Sequence, residues 1–258
     1  MFVDMLNSYK LIKPHVSSLK QAVLGGAPSS ETLVKEVHEV LKVPHIHIAY
    51  GSTENSPGVA SSRLDDDFEY ALKGIMKPLE FVELKVIDEN GCLVPVNTQG
   101  ELCVRGHGLF MGYWDDKEKT DEVVDKTRWY HTGDISTMNE YGSIKILGRK
   151  KDMVIRGGEN LYPQEIENFL HTHPAVLEIH VVGVPDKRMG EELCAWIFLK
   201  EGMKVSEEDI KMFCKGKISH FKIPRYIIFV EDFPKTTSGK IQKFEMKKRS
   251  IQMLNLDT

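Results

Sequence analysis

A strand, a glycine-rich turn, an amphipathic helix and a second strand follow one another between residues 20 and 60. This order constrains the fold of the chain more than any other feature. Gln21 to Leu24 is a short apolar run that Gly25-Gly26-Ala27-Pro28 interrupts. The helix expected next begins at Ser29 or Ser30, and Ile46 to Tyr50 is the following strand. One face of that helix is apolar: Leu33, Val34, Val37, Val40 and Leu41. The order predicts a parallel α/β unit, which presents ligand-binding loops at the carboxyl ends of its strands.

The pattern changes twice along the remaining chain. The segment from Phe81 to Leu147 predicts short alternating strands separated by turns at Asn90-Gly91 and Tyr141-Gly142. A charged stretch, Gly148 to Asp152, then precedes a further mixed pattern in which Pro163 opens a helix. Ser206 and Asp209 are spaced as a capping box for another helix.

These patterns predict two domains of mixed α/β and α+β class. Residues 1–149 are expected to form the first, with a partial parallel α/β part at 1–66 and a small β-rich part at 67–149. Residues 150–258 are expected to form a separate small α+β domain.

The composition supports a folded protein. The 258 residues allow two domains of roughly 100 to 200 residues, and 41% apolar residues can build a core. The 34 basic and 38 acidic residues are scattered, which argues against a nucleic-acid partner. No apolar run approaches the roughly eighteen residues that a transmembrane helix needs. The four cysteines show no metal-site spacing, which predicts buried, reduced thiols: Cys92, Cys103, Cys194 and Cys214.

Three polar clusters are candidate ligand-binding or catalytic sites. The first, Tyr50-Gly51-Ser52-Thr53-Glu54, follows a predicted strand. Its hydroxyl and carboxylate groups suit a phosphate oxygen and Mg²⁺, because a hard cation prefers oxygen ligands. The alternative is a turn in which Ser or Thr ends the strand.

The second cluster is Tyr130-His131-Thr132-Gly133-Asp134, and Arg149 follows later in the chain. The two oxygens of Asp134 can accept hydrogen bonds from both hydroxyls of a ribose, and a guanidinium can bind ribose or phosphate. The alternative is a turn aspartate and a surface arginine. His131 has no partner that the sequence identifies and is expected to be structural.

The third cluster is the small, hydroxyl-rich segment Pro234-Lys235-Thr236-Thr237-Ser238-Gly239-Lys240. Exposed backbone N–H groups and a lysine are typical of a phosphate-binding turn. The spacing differs from that of a Walker A loop, and Ile241 follows the lysine. The alternative is a solvated loop.

Together the clusters resemble the adenylate-forming superfamily, which includes acyl-CoA synthetases, luciferases and peptide-synthetase adenylation domains. Seven ordered segments carry the resemblance: Gly25 to Pro28, Tyr50 to Glu54, Gly100 to Gly106, Tyr130 to Asp134, Gly148-Arg149 through Gly157-Gly158-Glu159-Asn160, Val184-Pro185-Asp186 through Gly190-Glu191, and Pro234 to Lys240. Within the superfamily, the residues of these motifs are most similar to those of mitochondrial medium-chain acyl-CoA ligases. The resemblance therefore implies an acid–thiol ligase of fatty acid metabolism in the mitochondrial matrix, although the N-terminus carries no transit peptide.

The resemblance implies a first step in which a carboxylate attacks ATP to give an acyl-adenylate and pyrophosphate. Gly25, Gly26, Ala27 and the ring of Tyr50 would hold the adenine, and Asp134 and Arg149 the ribose. Gly51 would also belong to the cofactor-binding site. Thr53 would contact phosphate and Glu54 would bind Mg²⁺. Lys240 would reach the carboxylate and the α-phosphate, where a fixed cation lowers the barrier.

The resemblance also implies a second step in which the thiol of coenzyme A displaces AMP. The C-terminal domain would rotate about a hinge at Lys151, and the Gly157-Gly158 turn would then line the pantetheine tunnel. The expected partners are small molecules: a medium-chain fatty acid, ATP and CoA.

One family motif is missing. No glycine- and threonine-rich phosphate loop precedes Gly25, so the chain is expected to be a truncated form with impaired activity. Its sheet would expose an edge that favours self-association. Lys243 stands where related sequences often have arginine.

Two alternative functions stay open: a catalytically silent binding or regulatory partner, and a ligase for another carboxylate such as an aryl acid.

Overall fold

The computed structural model describes residues 1–237 and 239–256 in two compact units, Met1–Leu147 and Gly148–Thr258. Ser238, Asp257 and Thr258 lie outside the described residues. Each unit contains a β-sheet with helices beside it, so the predicted mixed α/β and α+β class is confirmed.

The first unit contains four helices and an eight-stranded sheet. Its helices are α1 (Phe2–Ile12), α2 (Glu31–Val40), α3 (Phe68–Lys73) and α4 (Lys117–Val123). Its strands are β1 (Gln21–Gly25), β2 (His45–Gly51), β3 (Gly58–Ser61), β4 (Ile75–Pro78), β5 (Val82–Ile87), β6 (Gly100–Gly106), β7 (Tyr130–Met138) and β8 (Ile144–Arg149). The strand order is β1-β2-β3-β4-β8-β7-β6-β5.

The predicted parallel α/β pair is present at one edge of this sheet. Strands β1 and β2 are parallel, with Gly25 opposite Ala49. Helix α2 connects them and begins where Ser30 accepts a 3.2 Å hydrogen bond from the backbone N–H of Leu33. Val34 and Val37 of this helix are fully buried, as the apolar period predicts. The carboxyl ends of β1 and β2 therefore lie side by side.

The remaining strands of the unit pair in antiparallel fashion where their register is defined. Their core contains Leu102, Val104 and Ile144, which are at most 2% exposed. The β-rich part is continuous with the parallel pair, because Ala60 of β3 lies opposite Pro78 of β4. One sheet thus runs from the helix-covered edge to the β-rich end.

The second unit contains a five-stranded sheet. Its strands are β9 (Val154–Arg156), β10 (Glu159–Leu161), β11 (Val176–Asp186), β12 (Gly190–Leu199) and β13 (Tyr226–Phe229). Its helices are α5 (Pro163–Leu170), α6 (Glu207–Cys214) and α7 (Lys243–Met253). Pro163 occupies the first turn of α5, and Ser206 and Asp209 form both hydrogen bonds of the predicted capping box of α6.

Alternation along β12 divides the core of this unit between the two faces of the sheet. Leu193, Ala195 and Ile197 belong to the cluster that also contains residues of α5 and α6. Cys194 and Trp196 belong to a second cluster that contains Met246 of α7. The sheet therefore lies between α5 and α6 on one face and α7 on the other.

Three of the four cysteines are buried as predicted, namely Cys103, Cys194 and Cys214. The prediction is wrong for Cys92, which is exposed. Its backbone N–H donates to the carboxylate of Asp88, which places the residue in a surface turn. Within residues 1–237 and 239–256, no helix combines the length and the apolarity required to cross a bilayer.

Candidate functional site

The first unit brings the Gly25 turn beside the strand end that carries Tyr50. A Cβ atom at Gly25 would lie 2.8 Å from the carbonyl oxygen of Ala49, which is too close for any side chain. A Cβ atom at Gly51 would lie 1.7 Å from the carbonyl oxygen of Pro57. Glycine is therefore required at both positions for the two backbone segments to approach. Gly26 and Ala27 follow β1 and are exposed at this end of the sheet.

Tyr50 and Asp134 meet at this end of the sheet. The Tyr50 hydroxyl donates a hydrogen bond of 2.5 Å to Oδ2 of Asp134, a residue 84 positions away in the chain. Asp134 is only 8% exposed. A short hydrogen bond to a carboxylate is among the stronger hydrogen bonds in proteins, so each side chain restrains the other.

The backbone around Asp134 is held by its neighbours. The backbone N–H of Asp134 donates to the Thr132 hydroxyl at 3.0 Å, and that hydroxyl donates to the carbonyl oxygen of Leu102 at 2.8 Å. Gly133 has a φ of +68°, and its N–H donates to Oε1 of Glu101 at 3.2 Å. These contacts set the direction in which the Asp134 side chain leaves β7.

His131 has neighbours that the sequence did not identify. Its Nδ1 lies 3.6 Å from Sγ of Cys103 and 3.9 Å from Oε1 of Glu101. Burial raises the pKa of the Cys103 thiol to about 12, so the thiol stays neutral at physiological pH. The contacts are compatible with the structural role expected for this histidine.

Glu54 is held by a segment that the sequence analysis did not single out. Glu54 lies in a 3-10 turn, Thr53–Asn55, and its carbonyl oxygen accepts a 2.8 Å hydrogen bond from the N–H of Phe110. The hydroxyl of Tyr113 donates to Oε1 of Glu54 at 2.9 Å. The sequence feature that could have indicated this segment is the cluster of aromatic residues after β6, since exposed loops rarely concentrate aromatic residues without a packing or binding role.

Burial raises the pKa of three tyrosines around these carboxylates. For Tyr50 the charge of Asp134 adds to the burial, and for Tyr113 a hydrogen bond to Glu54 adds to it. For Tyr130 burial is again the main cause, followed by the charge of Glu54. Each phenol therefore stays protonated and can donate a hydrogen bond.

The described residues offer no ready-made cage for a magnesium ion. Among the described residues, no group of three or more histidine, cysteine, aspartate or glutamate side chains could hold a metal ion. Mg²⁺ is commonly bound by one or two carboxylates together with water and substrate phosphates. The chemistry of the Glu54 carboxylate fits that kind of arrangement, in which one carboxylate is combined with water and phosphate oxygens.

The predicted residues of the second unit lie in two loops and at its start. Arg149 is the last residue of β8, whose final two residues already belong to the second unit, and Lys151 lies in the 3-10 turn Lys150–Asp152 that follows. Gly157 and Gly158 form the turn between β9 and β10, with φ values of +60° and +89°. A Cβ atom at Gly157 would lie 2.5 Å from the methyl group of Met189.

A buried ion pair supports this glycine turn. The guanidinium of Arg156 donates two hydrogen bonds to the Glu192 carboxylate, at 2.6 and 3.0 Å. Glu192 is 1% exposed. Arg156 also donates to the carbonyl oxygen of Phe221 at 3.1 Å. The side chain adjacent to Gly157 is therefore fixed at three points.

Lys240 lies at the end of a short hairpin. Its carbonyl oxygen accepts a 2.8 Å hydrogen bond from the N–H of Thr236, and its own N–H donates to the Thr236 hydroxyl at 3.1 Å. Lys235 and Ile241 form an antiparallel bridge. Lys240 is exposed. Ser238, which belongs to the phosphate-binding turn predicted from the sequence, is outside the described residues.

Family models match both parts of the chain. The AMP-binding enzyme family matches residues 1–114, and the AMP-binding enzyme C-terminal domain matches residues 165–240. The chain belongs to the AMP-binding, adenylate-forming enzymes. The resemblance drawn from the sequence motifs is thus confirmed.

Curated relatives match nearly all of this chain but less than half of their own length. The chain is 48% identical over 257 residues to the mitochondrial medium-chain acyl-CoA ligase ACSF2 of Bos taurus, covering 99% of this chain and 42% of the relative. It is 44% identical over 259 residues to the putative acyl-CoA synthetase YngI of Bacillus subtilis, covering all of this chain and 47% of the relative.

Solved structures of this family superpose on the chain as well. The anthranilate CoA ligase AuaEII in complex with anthranoyl-AMP is 31% identical, with a TM-score of 0.89 over 99% of this chain and 49% of the other. The amide bond synthetase McbA from Marinactinospora thermotolerans is 30% identical, with a TM-score of 0.86 over 96% of this chain and 50% of the other.

Proposed function

We propose that the chain forms part of an ATP-dependent acyl-CoA ligase. In the first step a fatty-acid carboxylate oxygen attacks the α-phosphorus of ATP and pyrophosphate leaves, giving an acyl-adenylate. In the second step the thiol of coenzyme A attacks the acyl carbon, AMP leaves and the thiol proton is released. The chain spans 42% of the length of the mammalian relatives.

The observation that carries this proposal is the contact between Tyr50 and Asp134 at the carboxyl ends of β1 and β2. It places an aromatic ring, suited to an adenine, beside a carboxylate suited to two ribose hydroxyls. Gly26 follows the adjacent strand, and no atom lies within 4 Å of where its Cβ atom would be, so the turn would leave room for the base at this residue.

The other first-unit residues receive roles that fit their surroundings. Thr53 is exposed at the start of the 3-10 turn and would contact phosphate. Glu54, oriented by Tyr113, would hold Mg²⁺, which neutralises phosphate charge when it is bound.

The second unit would supply the remaining groups. Lys240 would stabilise the charge that develops as the carboxylate approaches the α-phosphate, and Arg149 would bind the ribose. Lys151 would be the hinge between the two half-reactions. Gly157 and Gly158 would line the path of the pantetheine arm of CoA, with the open space at Gly158, where no atom lies within 4 Å of a Cβ position.

Medium-chain fatty acids and the mitochondrial matrix are our proposals for substrate and location. They rest on the names of the mammalian relatives, at 48% identity. An aryl carboxylate is the second candidate, because the anthranilate ligase superposes on 99% of this chain. A direct competition between octanoate and anthranilate for adenylation distinguishes the two.

The test is mass-spectrometric detection of acyl-AMP after incubation of the chain with ATP, Mg²⁺ and octanoate. We expect octanoyl-AMP above the level that the Lys240→Ala variant produces. Equal amounts from both proteins would contradict the proposal. Preferential formation of anthranoyl-AMP would favour the aryl-acid alternative.

Self-association through the sheet edge is a separate proposal. Strand β1 lies at the end of the strand order, and Val23 on it is 57% exposed. An edge strand of this kind can pair with that of a second copy of the chain. Light scattering at micromolar concentration tests this: a dimer supports the pairing, and a monomer contradicts it.

A further inference from the structure

The hairpin that carries Lys240 ends where α7 begins. Gln242, the N-cap residue of this helix, donates its backbone N–H to the carbonyl oxygen of Pro234 at 2.9 Å. Lys243 is the first helical residue and lies three positions after Lys240. The placement of the lysine hairpin therefore depends on how the start of α7 is attached to the rest of the unit.

Lys243 provides that attachment through α5 and β11. Its ammonium group donates to Oε1 of Glu167 at 2.7 Å and to the carbonyl oxygen of Val181 at 3.3 Å. Oε1 of Glu167 also accepts a 2.7 Å hydrogen bond from the N–H of Val181. One carboxylate oxygen thus joins an α5 side chain, the β11 backbone and the first residue of α7.

Burial makes the loss of either partner of this ion pair costly. Glu167 is 7% exposed, so its charge is poorly screened and needs a partner. The Lys243 side chain is 22% exposed and is its cationic partner in the contacts above. A buried, hydrogen-bonded ion pair defines geometry, because alternative positions of α7 would leave the carboxylate without its cation.

A second lysine of the same helix provides a contrast. Lys247, one turn later, donates to Oε1 of Glu191 at 2.7 Å. Its side chain is 45% exposed and that of Glu191 is 25% exposed. This pair also ties α7 to the sheet, but it lies a turn away from the hairpin and is more open to solvent.

We propose that Lys243 is a positioning residue for Lys240: its ion pair with Glu167 fixes the hairpin from which Lys240 reaches the substrate. The catalytic part of this inference rests on the proposed function of Lys240. The structural part concerns only the second unit and can be tested without any reaction. Arginine at position 243 has the same charge and can bind Glu167 and the Val181 carbonyl oxygen together.

The test compares three variants of the full chain by amide hydrogen exchange and by half-reactions. Lys243→Met alone leaves a buried unpaired carboxylate and risks unfolding, so the informative variant is Glu167→Gln/Lys243→Met. Its glutamine oxygen still accepts from Val181, and both charges are removed. Glu191→Gln/Lys247→Met is the matched control, and Lys243→Arg tests rescue.

We expect exchange of the Thr236 and Gln242 amides to become at least about tenfold faster in Glu167→Gln/Lys243→Met. Exchange in β12 should be unchanged, and the control pair and Lys243→Arg should resemble the wild type. Octanoate adenylation should fall about tenfold, while transfer from synthetic octanoyl-AMP to CoA is retained.

Unchanged exchange of the hairpin amides, or equal acceleration in the control pair, would overturn the inference. An equal loss of both half-reactions would also overturn it, because a general loss of structure would account for that result. A failure of the proposed function would give a different result, because Lys240→Ala would then leave adenylation unaltered. The hydrogen-exchange data would still test whether the Lys243–Glu167 ion pair fixes the hairpin.

Discussion

Tyr50 and Asp134, on strands β2 and β7, are joined by a 2.5 Å hydrogen bond from the phenol hydroxyl to the carboxylate. The contact links the parallel α/β edge of the first unit to its antiparallel part. It also places the two side chains proposed to hold adenine and ribose in direct contact. A nucleotide would thus meet a preformed pair rather than two independent residues.

Removing the hydroxyl should cost stability. A hydrogen bond to a charged group contributes about 1.5 to 3 kcal/mol, and Asp134 is nearly buried, so we expect Tyr50→Phe to lower the free energy of unfolding by about that amount. Chemical denaturation measures the change. The exposed Tyr141→Phe is the control and should be close to neutral.

The same hydrogen bond predicts how stability depends on alkaline pH. Burial and Asp134 raise the pKa of Tyr50 above its ordinary value of 10.0. The folded state therefore retains a proton that the unfolded state releases, so the contribution is complete below about pH 10 and declines as the pH rises further. Tyr50→Phe should show a shallower alkaline decline of the unfolding free energy, and an identical slope would contradict the assignment.

Tyr113→Phe should lower the affinity for Mg²⁺ in the proposed first step without unfolding the protein. The hydroxyl orients Oε1 of Glu54, and loss of a group that orients a metal ligand typically lowers metal affinity about 10- to 100-fold. Adenylation measured over a range of Mg²⁺ concentrations should shift its midpoint upward by at least about tenfold. A lower maximal rate at an unchanged midpoint would argue against an orienting role.

Lys240→Ala should reduce adenylation by two or more orders of magnitude, since it removes a preorganised charge from the approach of two anions. Transfer from synthetic octanoyl-AMP to CoA should be retained. Lys248→Ala, which removes an exposed lysine from α7, is the control and should leave both steps unaltered. Equal loss of both steps in Lys240→Ala would contradict the assignment.

A double-mutant cycle on the Arg156–Glu192 pair should show non-additive effects on the unfolding free energy. Arg156→Met leaves the buried charge of Glu192 with Arg225 alone, 3.7 Å from Oε1, and breaking a buried pair in this way costs up to about 3 to 5 kcal/mol. Arg156→Met/Glu192→Leu removes both charges and should recover most of that loss. Denaturant unfolding of the three proteins tests this, and additive losses would contradict it.

Local sequence patterns predicted the elements better than the contacts between them. The period of the apolar residues in α2 and the Ser206–Asp209 spacing depend on neighbours within one or two turns, so both could be read directly. The hydrogen bond from Tyr50 to Asp134 depends on the order of strands across an eight-stranded sheet, which no local pattern encodes.

Residues that act through a second side chain were harder to find. Tyr113 lies in a loop where no periodicity marks its direction, and its partner Glu54 is distant in the chain. In the sequence Lys243 stands out only as a departure from related sequences, because the carboxylate that pairs with it belongs to α5. Motif spacing identified candidates for direct ligand contact and missed the groups that hold them.

Binding of an octanoyl-AMP analogue tests the central claim most directly. Titration calorimetry with 5′-O-(N-octanoylsulfamoyl)adenosine should show one site on the wild type. The Asp134→Asn variant retains an acceptor for Tyr50 but loses the charge. It should bind the analogue at least about tenfold more weakly, because hydrogen bonds to a charged carboxylate are roughly twice as strong as those to a neutral amide. Equal affinity of the two proteins, or no binding by the wild type, would contradict a nucleotide site built on Tyr50 and Asp134.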